Sequence, residues 1–316
     1  MLTWKLQCKL FDSIVKPIML YGCQVWGQQI INHILKADFG QFDKLPFEEL
    51  QNKLCKFSLG VGKYTSNLAC RAELGRYPIL ISACSLAIKF WKNLLESPDK
   101  LSHCAYKEEL KLNIAGQNNW AGFIKQILHR CNMDNIWVRQ KVNRDENIQV
   151  KVRNALKSQY SNIFFDRLNM TTGTTGKTGN KLRTYKLVKN EYEAEHYLTR
   201  GLSFRVARAI AKLRLSAHDL AIETGRRARP HVPASERYCK FCTGQVEDEI
   251  HFLIQCPMYQ SERQQLYNVF KIDRPTSMDV IETFRILMCS DQTEELNSLG
   301  NFILNAFNLR KDSHMQ

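Results

Sequence analysis

One stretch limits the fold more than any other: Cys239 to Cys256, which reads Cys-Lys-Phe-Cys-Thr-Gly-Gln-Val-Glu-Asp-Glu-Ile-His-Phe-Leu-Ile-Gln-Cys. Cys239 and Cys242 are close enough in sequence for one tight turn to aim both thiolates at a single point, and His251 and Cys256 complete a set of three sulfurs and one nitrogen. That set is the usual shell of a structural zinc site, so the spacing predicts a Zn2+ ion held by Cys239, Cys242, His251 and Cys256. Thr243-Gly244 falls where the turn needs a residue tolerant of positive φ. The alternative is a pair of buried cysteines with a helix histidine nearby.

The 316 residues suffice for about two domains, and a 44% hydrophobic content marks a globular chain. There are 45 Lys and Arg against 31 Asp and Glu, a formal net charge of +14, which favours polyanionic partners, nucleic acid before an anionic membrane. The N-terminus lacks a basic segment followed by a long apolar run, and the most apolar run, Pro78 to Trp91, is too short to span a bilayer. With 11 cysteines, an odd number, these features point to a reducing compartment, nucleus or cytoplasm, with cysteines serving as metal ligands or small buried groups.

Apolar periodicity is helical throughout, so the expected fold class is mainly α: a helical N-terminal unit and a helical C-terminal region with a small CCHC zinc knuckle. Leu10 to Trp26 repeats at helical spacing, with Pro17 marking a kink or a start, and its face is too apolar to stand alone. Helices are predicted over Phe47–Val61, over Asn67–Leu74 with Thr65 or Ser66 as cap, and over Ile79–Leu95, giving an N-terminal unit of residues 1–97. A connecting region, 98–170, carries helices at Tyr106–Leu112, Trp120–Cys131 and Ile148–Leu168. Residues 171–180, Thr-Thr-Gly-Thr-Thr-Gly-Lys-Thr-Gly-Asn, read as a linker. A basic helical and knuckle region, 181–271, follows, with a Tyr/Lys-rich helical stretch to about 198 and a candidate helix over 200–224. Pro257 can start a helix to Phe270, and 272–316 is a tail with one more helical stretch and a polar end.

No catalytic set emerges. Gly176-Lys177-Thr178 imitates a phosphate-binding loop, but Thr171 stands where its first glycine belongs. Pro98-Asp99 with Glu109-Leu110-Lys111 imitates a metal-dependent nuclease, but its acids fall on a helical pattern rather than on neighbouring strands. No Asp-Asp dipeptide is present to bridge two metal ions. The expectation is a non-enzyme without a small-molecule substrate.

The run before the knuckle is basic. Residues 200–229 hold eight Lys and Arg against two acids, a net +6. Arg205, Arg208, Lys212 and, less closely, Arg214 share a helical side, and Arg226, Arg227 and Arg229 lead toward the metal ligands. Arginine forks match phosphate oxygens, and a metal-pinned loop would hold them at low entropic cost. Tyr238 and Phe241 flank the first ligands, to stack on unpaired bases when exposed or to form a small core when buried. Glu247, Asp248 and Glu249 read as helix N-terminal charge rather than ligands.

With these residues in view, the sequence resembles the C-terminal part of non-LTR (LINE-type) retrotransposon reverse transcriptase polyproteins. Pro17-Ile-Met-Leu-Tyr-Gly-Cys-Gln-Val-Trp26 is similar to the thumb end of the polymerase. Phe57 to Leu95, with Thr65-Ser-Asn-Leu68 and Glu73-Leu-Gly-Arg-Tyr-Pro78, is similar to the helical region that follows. Leu213-Arg-Leu-Ser-Ala-His218, Glu223-Thr-Gly-Arg226, the four ligands, Pro257-Met-Tyr259 and Arg263 are similar to the terminal knuckle region. These stretches cover about half the chain in the family's order. The family's fingers and palm, with the catalytic Asp pair, and its endonuclease are not in this sequence, so the resemblance implies a fragment, a truncated copy or a mispredicted start, a portion that grips template RNA or target DNA without polymerising. The alternatives are a zinc-stabilised protein-interaction module and an inactive pseudogene product; the oligomeric state is left open.

Overall fold

The computed structural model describes residues 3–28, 42–143, 145–170, 181–242, 244–272 and 280–312. The chain is mainly helical, as the periodicity predicts. Among the described residues there is no strand, only two isolated antiparallel bridges, Leu74 with Ala194 and Tyr238 with Val246. The predicted linker at 171–180 lies outside the described residues. Two compact units divide the chain: Cys8–Asn52 with Tyr77–Phe165, and Met1–Gln7 with Lys53–Arg76 and Asp166–Gln316. Both are discontinuous in sequence, so their limits differ from the consecutive spans that composition suggests.

In the unit of Cys8–Asn52 and Tyr77–Phe165, the apolar segment ending at Trp26 is not one helix. An α-helix at Trp4–Leu10 widens into a π-turn at Phe11–Val15, tightens at Lys16–Met19 and resumes at Cys23–Trp26. Pro17 has no N–H to give the preceding turn, and Gly22 takes a left-handed φ of 69° that breaks the segment. Ile79–Leu95 forms as predicted; its N-terminus lacks a side-chain cap from Pro78, and the buried Glu48 carboxylate accepts the Leu80 N–H at 3.0 Å instead. Leu101–Ile114 extends the predicted helix at both ends, and Trp120–Arg130 is capped by the Asn119 side chain, which accepts from Gly122 N–H at 3.2 Å. Trp91, Phe123, Tyr160 and Phe164 fill the core. The Trp91 indole donates to the Tyr106 hydroxyl at 2.8 Å, so its buried N–H is satisfied.

In the other unit, Asn67–Glu73 is capped by Ser66 rather than Thr65, the Ser66 hydroxyl accepting the Ala69 N–H at 3.4 Å. The predicted Tyr/Lys-rich helix before 198 is not formed; only single turns at Tyr185–Val188 and His196–Thr199 occur. Their polar side chains turn inward: Tyr185 and Tyr197 donate to Glu73, and Lys189 pairs with Glu195. The candidate 200–224 helix is two helices, Phe204–Arg214 and Ala221–Arg227, with Ser216 between them at a left-handed φ of 49°. The break is held by the buried Glu249 carboxylate, which accepts from the Ser216 hydroxyl at 2.8 Å and meets His218 Nε2 at 2.9 Å.

Gln260–Phe270 follows a short turn at Pro257–Tyr259, as predicted. The described part of the tail is more helical than its polar sequence suggests. It contains Val280–Cys289 and then Thr293–Asp312, which buries Leu296, Leu299, Phe302, Ile303 and Ala306 and packs on both Phe204–Arg214 and Gln260–Phe270. Gly300 permits the first contact, because a Cβ there would lie 2.4 Å from Val206 Cγ1.

Candidate metal centre

The two halves of the site are built by different local devices. Residues 237–247 fold back as a short turn: Cys239 N–H donates to the Gln245 carbonyl at 2.7 Å, and Glu247 N–H donates to the Arg237 carbonyl at 2.9 Å. Gly244 sits at the tip with φ 81° and open space around it, as the Thr243-Gly244 reading requires. The Cys239 and Cys242 side chains come from one arm of this turn. The other half is a π-turn at His251–Gln255, entered through Asp248, whose carboxylate accepts the His251 N–H at 2.8 Å. Cys256 N–H donates to the His251 carbonyl at 2.8 Å, an i to i+5 closure that brings His251 and Cys256 to the same point. Arg263 closes the end of this turn, its buried guanidinium donating to the Leu253 carbonyl at 2.9 Å and the Cys256 carbonyl at 2.7 Å.

One ligand atom from each of Cys239, Cys242, His251 and Cys256 lies within 4.8 Å of the others, close enough to hold a metal ion and compatible with zinc. The Cys242–Cys256 sulfur separation is 3.6 Å and that of Cys239–Cys256 is 3.9 Å. Two sulfurs bound tetrahedrally at zinc–thiolate distance stand about 3.8 Å apart, so the separations fit that ion. His251 is buried, and neither ring nitrogen has a hydrogen-bond partner among the described residues. A buried imidazole with both nitrogens unmet is costly unless something else meets them, and a metal ion does so. Burial lowers the His251 pKa, with a smaller contribution from the Arg263 charge, which favours the neutral, ligating form. Burial pushes the Cys256 thiol up to about 12, opposed by the Met258 N–H. Phe241 N–H lies 3.4 Å from Cys239 Sγ, so backbone donors face two of the sulfurs.

Beyond the ligands, the three acids at 247–249 serve three structures, and none belongs to the ligand cluster. Asp248 caps the π-turn. Glu249 takes Ser216, His218 and Arg183, the last at 2.6 Å. Glu247 accepts the Ala221 N–H at 2.6 Å and forms a two-pronged pair with Arg310, whose second nitrogen lies 2.8 Å from Oε2. Arg310 also lies over the Phe241 ring at 5.8 Å, and Lys240 donates to its backbone carbonyl. Sequence reading missed Arg310, which sits 54 positions past Cys256 on a helix that carries no motif. Its only signal is being a basic residue in the last turn of a helix.

The expected nucleic-acid residues divide. Arg205, Lys212, Arg227 and Arg229 are exposed. Arg208 is half-buried: its guanidinium lies 3.7 Å over the Phe204 ring and donates to the Phe57 carbonyl at 2.5 Å. Arg226 is half-buried against Glu223 at 3.2 Å. Arg214 is a correction. It is 1% exposed and committed to Glu73, Glu195 and two carbonyls, because its position in the last helical turn faces the core and not solvent. Tyr238 is 52% exposed, whereas Phe241 is half-buried with its ring edge-on to Tyr259. Comparisons with protein-family models, with curated proteins and with solved structures found no match.

Proposed function

We propose that the 239–256 module carries one structural Zn2+ and that the chain is a non-catalytic nucleic-acid-binding protein, akin to the C-terminal part of a LINE-type reverse transcriptase. Cys239, Cys242, His251 and Cys256 would hold the ion, which when bound supplies a cross-link between the 237–247 turn and the 251–255 turn. The observation that carries the reading is the buried His251 ring with two unmet nitrogens amid three converging sulfurs. Support for the nucleic-acid part is the nearby cationic surface. Phe252, next to His251, packs its ring 4.7 Å from Phe307, which lines a groove shared with Arg205 and Lys212. Each phosphate neutralised there adds affinity through counterion release.

The test is metal analysis of the purified protein with and without Cys239→Ser, combined with a salt titration of a bound nucleic-acid probe. Zinc at one per chain, lost in the variant, and binding that weakens steeply with salt are expected. Unchanged zinc in the variant contradicts the ligand assignment, and no binding at low salt contradicts the nucleic-acid reading. A second reading, a zinc-stabilised protein-interaction module, is favoured by Ile14, Ile18 and Tyr21, which are 57%, 73% and 86% exposed. It gains if a captured partner is indifferent to charge reversal at Arg227 and Arg229.

A further inference from the structure

The Phe204–Arg214 and Thr293–Asp312 helices line a groove of about 610 Å³. Its rim is cationic. Arg205, Arg208 and Lys212 come from one helix and Lys311 from the other, and the acid among the lining residues, Asp219, is paired with Arg227 at 3.1 Å. Arg205, Lys212 and Lys311 are exposed and make no ion pair among the described residues. Arg205 to Lys212 runs about 10 Å along the helix axis, so the charges form a row and not a point. The floor is apolar, from Phe204, Ile303, Leu304 and Phe307. Arg208 is fixed between rim and floor by its bond to the Phe57 carbonyl, which leaves a flat guanidinium–ring pair in place before any ligand arrives.

A row of free cations calls for a repeated anion, and a floor of rings and aliphatic carbons calls for exposed planar apolar faces. A duplex offers the first and hides the second inside its stack. A single strand offers both, phosphates for the rim and unpaired bases for the floor. An acidic amphipathic helix would match the rim and can carry an aromatic ring, but it does not present a planar face with every charged repeat unit as a single strand does. We propose that this groove binds a single-stranded nucleic-acid segment, with phosphates on Arg205, Lys212 and Lys311 and a base against Phe307 and Arg208. The proposal rests on the nucleic-acid reading above and names its site and strand type; Lys311 and a stacking role for the floor are what it adds to that reading.

The experiment uses the full zinc-loaded chain and fluorescence anisotropy with two labelled probes, a short unstructured oligonucleotide and a hairpin duplex of equal charge. Asn308→Trp fills the groove without changing charge, and Leu304→Trp does so from a second position should the first variant lose zinc or helicity. Lys311→Glu reverses one rim charge. The single strand should bind more tightly than the duplex, and the filled groove should weaken it about tenfold, the loss of one stacked base. Lys311→Glu should lower the salt slope by about 0.7. Binding of the single strand at parental affinity by both filled variants overturns the groove assignment and leaves the general reading standing. Failure of the parent to bind either probe at low salt overturns the general reading and the groove proposal with it. Groove-dependent binding of an acidic helical peptide by a parent that ignores both probes overturns it in favour of a protein partner.

Discussion

Arg214 and His251 are both almost fully buried in the same unit, 1% and 2% exposed, yet their surroundings differ in kind. Arg214 donates to Glu73 at 2.6 Å and to the Met288 carbonyl at 2.7 Å, and pairs with Glu195 at 2.8 Å. Glu73 takes Tyr185 and Tyr197 as well, and Lys189 meets Glu195, so two cations face two acids and the group is closed by its own members. His251 has three sulfurs nearby and, among the described residues, no partner for either nitrogen. The first cluster is finished by the chain; the second is close enough to hold a metal ion that would finish it. Buried polar groups without partners are therefore a better pointer to a ligand than buried charge as such.

Metal removal separates the two most strongly. Apparent zinc affinities of such modules amount to roughly 10 kcal/mol, all of it available to folding. A strong chelator should expose the 237–256 amides to hydrogen exchange while the 79–95 and 120–130 helices stay protected. Retention of full protection at 237–256 after verified zinc loss would show the module to be self-sufficient, like the Arg214 cluster.

Arg214→Met attacks the other side. It leaves Glu73 buried without its cation and should cost about 3–5 kcal/mol in denaturant unfolding. Adding Glu73→Gln should recover part of that loss, since the stranded charge is gone. Zinc content should not change in either variant. No recovery in the double variant would mean that packing, not charge balance, dominates the cluster.

Alkaline pH divides the regions a third way. Burial first, and then the Glu73 carboxylate, push the Tyr185 and Tyr197 hydroxyls well above the usual phenol range. The folded chain thus keeps two protons that the unfolded chain releases above about pH 10. Stability from these groups is fully present below that pH and falls as pH rises, by about 1.4 kcal/mol per unit for each phenol. Replacing both with Phe should flatten this slope in urea midpoints measured between neutral and alkaline pH. An unchanged slope would remove the tyrosines from the account.

The contrast also governs what a reader of sequence can see. The Cys/His cluster was legible because its four residues fall within 18 positions and each half forms by a local turn. Ile79–Leu95 was legible because its apolar period survives packing intact. The Arg214 cluster joins positions 73, 185, 195, 197 and 214, so no window contains it, and Arg214 reads as one more cation on a basic helix. The break at Ser216 was hidden for the same reason, being set by Glu249 from beyond the helix. The Thr293–Asp312 helix carries no motif, and its role follows only from what it packs against.

Arg310 tests whether the two kinds of cluster are independent of the C-terminal helix. Its guanidinium holds both oxygens of Glu247, and Cys239 Sγ is 4.0 Å from the same carboxylate. Burial raises the Glu247 pKa, opposed by the Ala221 N–H and then by the Arg310 charge, so Arg310→Gln should strand an acid beside the sulfurs. The expected stability loss is about 1–3 kcal/mol, smaller than for Arg214 because Glu247 keeps its bond to Ala221. Zinc affinity should weaken in the same variant, since the 237–247 turn loses its tie to the 293–312 helix, while the alkaline slope set by Tyr185 and Tyr197 stays as it was. Competition against a chromophoric chelator reads the first effect and the urea midpoints read the second. Parental zinc affinity in Arg310→Gln would mean that the metal module closes without help from the terminal helix, and that the groove between that helix and Phe204–Arg214 is not coupled to the ion.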